Sequence, residues 1–160
     1  NDQMYGMRKK FTSYKDYATA TMKDIFSEEQ LAAAGKKLAK ESQTILLMNK
    51  KGRFEKAALP IQAQFSVVTQ ILVEDFNRDG KPDLLLLGNK SDNRLKVGSI
   101  EANYGSLFTG DGRGNFTYTP QTVSGLQLRG DVKSALVTKK GKDEFLMVGL
   151  NGQPIQIFKF

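Results

Sequence analysis

The chain contains no cysteine and no histidine among its 160 residues. The first absence excludes disulfides, thiolate zinc sites and thiol nucleophiles. The second removes the usual general base near neutral pH and the commonest transition-metal ligand. Most hydrolase constellations go with it, and the chain is expected not to be an enzyme. A carboxylate pair of the glycosidase kind remains conceivable, but the one acidic cluster is better explained by a cation. No apolar run approaches the length needed to cross a bilayer. Asn1 opens no basic-then-apolar leader, so the chain reads as a mature or trimmed fragment.

What remains is ordinary for a globular chain. Hydrophobic residues make up 39% and charged residues 26%, enough for one domain with a real core or two small lobes. The formal net charge is +7. The basic residues come in scattered pairs, Lys9-Lys10, Lys36-Lys37, Lys50-Lys51 and Lys139-Lys140. That pattern reads as solvated surface. The alternative is polyanion or nucleic-acid binding, which would weaken steeply with salt.

Residues 1–43 read as a helical segment of two helices. In "SYKDYATATMKDIF", Tyr14, Tyr17, Ala18, Met22 and Ile25 recur at helical spacing, an apolar face expected to pack into a core. "SEEQLAAAGKKLAKE" follows, with Ser27 and Gln30 spaced as a capping box. Glutamates lead and lysines close this second helix, as the helix dipole favours, while Gly35 weakens it. Residues 44–160 read as a β region. Runs such as "TILLMN", "FSVVTQILVED", "DLLLLGN", "SALVT" and "EFLMVGLN" alternate with turns rich in Gly, Asn and Asp. "NKKGRF" and "GDGRGNF" read as hairpin connections and resemble one another; "ILVEDFNRDGKPDLLLLGN" has a degenerate partner in "ALVTKKGKDEFLMVGLN". Gly52 and Phe54 of the first turn recur as Gly114 and Phe116 of the second, and a period of roughly sixty residues with about four strands per unit suits propeller blades.

The most specific feature is the loop D-x-N-x-D-G-x-x-D, formed by Asp75, Asn77, Asp79, Gly80 and Asp83. Alternate oxygens of a tight loop can face one centre, with the Lys81 carbonyl among them and Gly80 supplying the unusual backbone angle. The ligands are all hard oxygens, which suits calcium better than magnesium and leaves nothing for zinc or copper. An EF-hand is excluded because its twelfth position, Leu86 here, must be glutamate and its flanks must be helical. The competing reading is a metal-free Asx-rich turn. The second copy, "TKKGKDEF", carries lysines in place of these acids, so the strand-turn-strand geometry does not require them. The "GDGRGNF" loop reads as a plain hairpin.

"EDFNRDGKPDLLLLGN" resembles the calcium loop of FG-GAP or VCBS repeats, the units of integrin-type β-propellers. With "NYGSLFTGDGRGNF", "SGLQLRGDVKSALV" and "PIQIFKF", most of the chain resembles the carboxy-terminal region of large Bacteroidetes VCBS-repeat proteins of the ASPIC/UnbV-like kind. The resemblance implies a mainly β fold with an N-terminal α-helical segment. It implies about two antiparallel four-stranded propeller-like blades, with a calcium loop between strands. It also implies Ca2+ held by Asp75, Asn77, Asp79, the Lys81 carbonyl and Asp83. The expected function is a non-catalytic calcium-binding scaffold or binding module, part of a larger extracellular, periplasmic or outer-membrane surface protein. Its expected partners are a protein or glycan ligand and the rest of its parent chain, without a membrane span. Self-association through open sheet edges is a further expectation.

Overall fold

The computed structural model describes residues 6–160. It divides into two compact units, Asn1–Ser42 and Gln43–Phe160. In the first, the expected pair of helices is replaced by four short ones: α1 (Met7–Lys10), α2 (Tyr14–Thr19), α3 (Met22–Ile25) and α4 (Glu28–Ala33). The break inside "SYKDYATATMKDIF" has a local cause. The Asp24 carboxylate accepts the Thr21 N–H at 2.8 Å and its hydroxyl at 2.6 Å, so Thr21 opens a new helix instead of continuing the old one. The Ser27–Gln30 capping box is present, but α4 stops at Ala33, ahead of Gly35. The expected apolar face is not buried: Tyr14 is 87% exposed and Met22 58%. Helices of four and six residues cannot carry a continuous stripe, and Met7 is the unit's one buried apolar side chain among the described residues.

The second unit is mainly β and holds three antiparallel sheets. A hairpin pairs β1 (Leu46–Lys50) with β2 (Arg53–Ala57). The turn between them needs two left-handed residues, and Lys51 and Gly52 adopt φ of 53° and 86°. A 3-10 turn (Ile61–Gln64) then leads into a four-stranded meander, β3 (Val68–Glu74), β4 (Asp83–Gly88), β5 (Ser106–Gly110) and β6 (Phe116–Thr119). A short helix, α5 (Gln121–Ser124), links it to a three-stranded meander, β7 (Val132–Lys140), β8 (Asp143–Leu150) and β9 (Gln156–Lys159). The expectation of about two four-stranded blades is therefore corrected to one four-stranded and one three-stranded sheet, with a separate hairpin. Among the described residues, no helix is long and apolar enough to cross a membrane.

The run of four leucines explains how the sheets are joined. β4 is a central strand, buried on both faces, so it reads as a continuous apolar run instead of an alternating one. Leu85 and Leu87 face the second sheet and pack with Leu107, Val132, Leu146 and Val148. Leu84 and Leu86 face the opposite way and pack with Phe108 and Ala63. The two larger sheets also meet where β3 lies beside β7. There the Thr69 hydroxyl donates to the Val132 carbonyl at 2.7 Å, and the Gln70 amide donates to Lys133 at 3.1 Å.

A buried polar network closes the end of the sheets where β4 leaves. Asn89, with φ of 83°, donates its amide to the carbonyls of Asn103 and Gly130 and accepts from Ser66 and the Asn103 N–H. Asp131, 2% exposed, accepts the Ser91 N–H at 2.8 and 2.9 Å and the Ser91 hydroxyl at 2.9 Å. The Ser91 backbone bond, then its hydroxyl, and then the nearby Lys133 charge hold this carboxyl below its ordinary value of 3.8, against the opposing effect of burial. Because the folded-state value is depressed, the contribution is complete above the ordinary value and is lost as pH falls through the lowered one. Asp131→Asn is accordingly expected to lower stability by about 1–2 kcal/mol at neutral pH. Urea melts from pH 7 downward should also show a shallower loss of stability below pH ~4 than in the parent chain.

Candidate metal centre

The loop between β3 and β4 spans residues 75–82 and is closed by the pair Glu74 and Asp83. The corresponding hairpin of the second sheet, β7–β8, closes on Lys140 and Asp143 with only Gly141 and Lys142 between them. A two-residue turn therefore suffices for this kind of strand pair, and the longer acidic loop serves something other than reversing the chain. Its backbone is tightly curled, with Arg78 at φ 61° and Gly80 at φ 82°. An L-residue enters that region at a cost, and glycine does so freely.

The curl is held by the loop's own acids. Asp75 accepts the N–H of Asp79 at 3.0 Å through one oxygen and that of Gly80 at 2.8 Å through the other. The same Asp79 N–H is shared with the Asn77 side-chain oxygen, also at 3.0 Å. Two of the expected ligand oxygens thus meet at one hydrogen. Asp79 in turn accepts the Lys81 N–H at 2.9 Å, and the Lys81 ammonium lies 3.7 Å from its other oxygen. Asp83 differs from the others in being fully buried. One of its oxygens accepts from Phe76 at 3.0 Å and Asn77 at 3.2 Å, and the other from Gly110 at 2.9 Å. It fastens the loop to its own strand and to β5. The sequence placed Asp83 in the ligand set alone; its position directly before the Leu84–Leu87 run was the available signal for this second role.

Among the described residues, no three acidic side chains converge on one point as a metal-holding group, because each carboxylate is turned toward backbone N–H groups. Donor chemistry nevertheless fits a hard cation. An ionised carboxylate offers about four lone-pair positions. Asp75 uses two and Asp79 one, besides its exposed ion pair with Lys81. The surplus oxygens, with the Lys81 carbonyl, are of the kind calcium takes, six to eight at about 2.3–2.6 Å. An exposed lysine pair of this sort contributes little, and a divalent ion would readily displace it.

Two neighbours matter. Arg78 reaches out of the loop and donates to the Phe160 carbonyl at 2.9 Å, while the rings of Phe76 and Phe160 lie 5.0 Å apart. The loop thereby clamps the end of the last strand. Beside it is a cleft of about 390 Å³ lined by Glu74, Asp75, Arg78, Lys139, Lys142 and Glu144, among others. Its charges are of both signs, and Lys139 is already paired with Glu144, so it favours neither a cation nor a polyanion. The "GDGRGNF" turn is self-contained: Asp111 accepts the N–H groups of Arg113 and Asn115 at 2.7 and 3.1 Å and the Asn115 amide at 2.6 Å. Those bonds, the Asn115 side chain first, hold the Asp111 carboxyl below its ordinary value. No family model, curated protein or solved structure matches the chain.

Proposed function

We propose that residues 43–160 form a non-catalytic scaffold or binding module stabilised by one calcium ion at the loop of Asp75, Asn77, Asp79, Lys81 and Asp83. The observation that carries this reading is the contrast between two like hairpins: one turns on Gly141 and Lys142, the other on an eight-residue loop rich in hard oxygens. The ion's work would be structural. It would neutralise the loop and so hold the Arg78 and Phe76 clamp on β9. The meander sheets, packed face to face, are of the kind from which propeller blades are built. On the FG-GAP and VCBS resemblance, the module belongs to a larger exported or cell-surface protein and meets a protein or glycan there.

Asp79→Ala separates this from a metal-free turn. Without calcium the variant loses one exposed hydrogen bond, about 0.5–1 kcal/mol. With calcium at a hundred times its dissociation constant, the parent chain gains about 2.7 kcal/mol, and the variant should gain none. Thermal melts of both proteins in calcium and in EDTA read the difference. Superimposable parent melts in the two buffers would defeat the reading.

A further inference from the structure

At the end of the strands opposite the acidic loop, the two larger sheets turn in unequal ways. The β8–β9 connection uses residues 151–155, whereas the β4–β5 connection takes residues 89–105. Both begin alike: the Asn89 N–H reaches back to the Val67 carbonyl, and the Asn151 N–H to that of Asp131. The longer connection is not slack. Lys90 and Ile100 exchange both backbone bonds, at 2.8 and 2.9 Å, and close its neck. The buried Asp131 carboxylate holds Ser91 at the same point. The Asn93 amide donates across the loop to the carbonyls of Lys90 at 3.0 Å and Gly98 at 3.1 Å.

Beyond this neck the chain makes one turn. The Val97 N–H returns to the Arg94 carbonyl at 2.8 Å, and Gly98 ends the turn at φ 73°. Arg94, Leu95, Lys96 and Val97 form the apex, and all four are exposed. Leu95 is 102% exposed, as open as in an extended chain. Scattered exposed apolar residues are ordinary on a protein surface. Here, however, a buried carboxylate, a reciprocal backbone pair and an amide clamp together hold a free leucine out in water. A loop already ordered has less to lose on docking than a slack one.

The neighbours of Leu95 indicate what it docks on. Arg94 and Lys96 flank it, and neither is ion-paired among the described residues. The loop's acids, Asp92 and Glu101, lie outside the turn. An apolar tip between two unpaired cations matches a surface that is anionic outside and apolar beneath. A nucleic acid would take the cations, but stacking on its bases calls for aromatic side chains. A stable protein interface engages roughly 20–30 residues a side, far more than this apex presents. We propose that the loop docks the chain onto an anionic lipid bilayer, with Leu95 entering the boundary between headgroups and acyl chains and Arg94 and Lys96 among the headgroup phosphates. This docking needs no calcium and is separate from the metal reading.

The probe is vesicles of mixed phosphatidylglycerol and phosphatidylcholine, sedimented with the whole chain in EDTA at about 50 mM salt. Saturable binding is expected, with little to phosphatidylcholine alone. Leu95→Ser changes no charge and should weaken binding about tenfold. Arg94→Gln combined with Lys96→Gln should weaken it about 25-fold, since each cation near such a surface is worth a factor of about five. All three side chains are exposed, and thermal melts check that the variants stay folded. Sodium phosphate should release no more protein than chloride at equal ionic strength; greater release would show a simple anion site in place of a bilayer contact. That result overturns the proposal. So does a parent chain that stays in the supernatant, or a Leu95→Ser variant that binds as the parent does, which would leave only the general positive charge. Because EDTA is present throughout, failure here leaves the calcium reading standing, and failure of calcium binding leaves this one.

Discussion

Asp83→Ala is expected to be the most damaging single change in the loop, and to be so with or without calcium. The carboxylate is fully buried and accepts three backbone N–H groups, from Phe76, Asn77 and Gly110. Alanine leaves all three donors without this partner, the Gly110 N–H in a buried place and those of Phe76 and Asn77 in a partly buried one. Each such loss costs about 1–3 kcal/mol, and some relaxation of the loop will offset part of it. We expect a net loss of about 4 kcal/mol, read in urea melts, and a fall in Tm of roughly 10–20 °C. Asp83→Asn should cost less, because its amide oxygen still accepts. The contrast with Asp79→Ala is the informative part: two acids four positions apart in one motif should differ severalfold in EDTA. Equal, small losses for both in EDTA would show that the buried bonds of Asp83 do not hold the loop.

Gly110→Ala is expected to reach a similar size from the other side of the same contact. Gly110 ends β5 and gives its N–H to Asp83. A β-carbon there would collide with the Pro82 carbonyl oxygen, which is backbone, and would crowd the Phe116 ring. Neither backbone segment can retreat without parting the β4–β5 junction. Overpacking of this kind costs about 1–3 kcal/mol and sometimes more; about 3 kcal/mol is expected here, with a Tm lower by roughly 10 °C. Combined with Asp83→Ala, the loss should fall short of the sum, since both changes break one junction. Full additivity in that double-mutant cycle would separate the two residues energetically.

Much of the β region was legible because its physics is local. Apolar runs of four to eight residues bounded by Gly, Asn and Asp announced the strands, the four leucines among them; that this strand is buried on both faces emerged only from its place in the sheet. β2 was harder, since Arg53, Phe54, Glu55 and Lys56 are all exposed and it has no apolar pattern of its own. Only the turn before it signalled a hairpin. The helical segment was over-read. Helical spacing from Tyr14 to Ile25 is real, but Thr21 and Asp24 compete with helix continuation at short range. The first unit also offers those side chains little to pack against. The acidic loop was legible as a motif, and its Gly80 angle as a requirement. That Asp83 is bound by amides of two separate segments was not legible, because Gly110 lies 27 positions further on. A cavity of about 430 Å³ between the two larger sheets was hidden for the same reason. Its walls come from β4, β5, β8 and β9, and no stretch of sequence holds more than part of it.

The proposed scaffold role stands or falls with a divalent ion in the loop of residues 75–83. The most direct measurement is a calorimetric titration of calcium into chelator-stripped protein, run beside Asp75→Ala and Asp79→Ala. One saturable site is expected in the parent chain and none in either variant. No heat beyond dilution at millimolar calcium would contradict it, leaving a self-capped turn in which the acids serve only their own backbone.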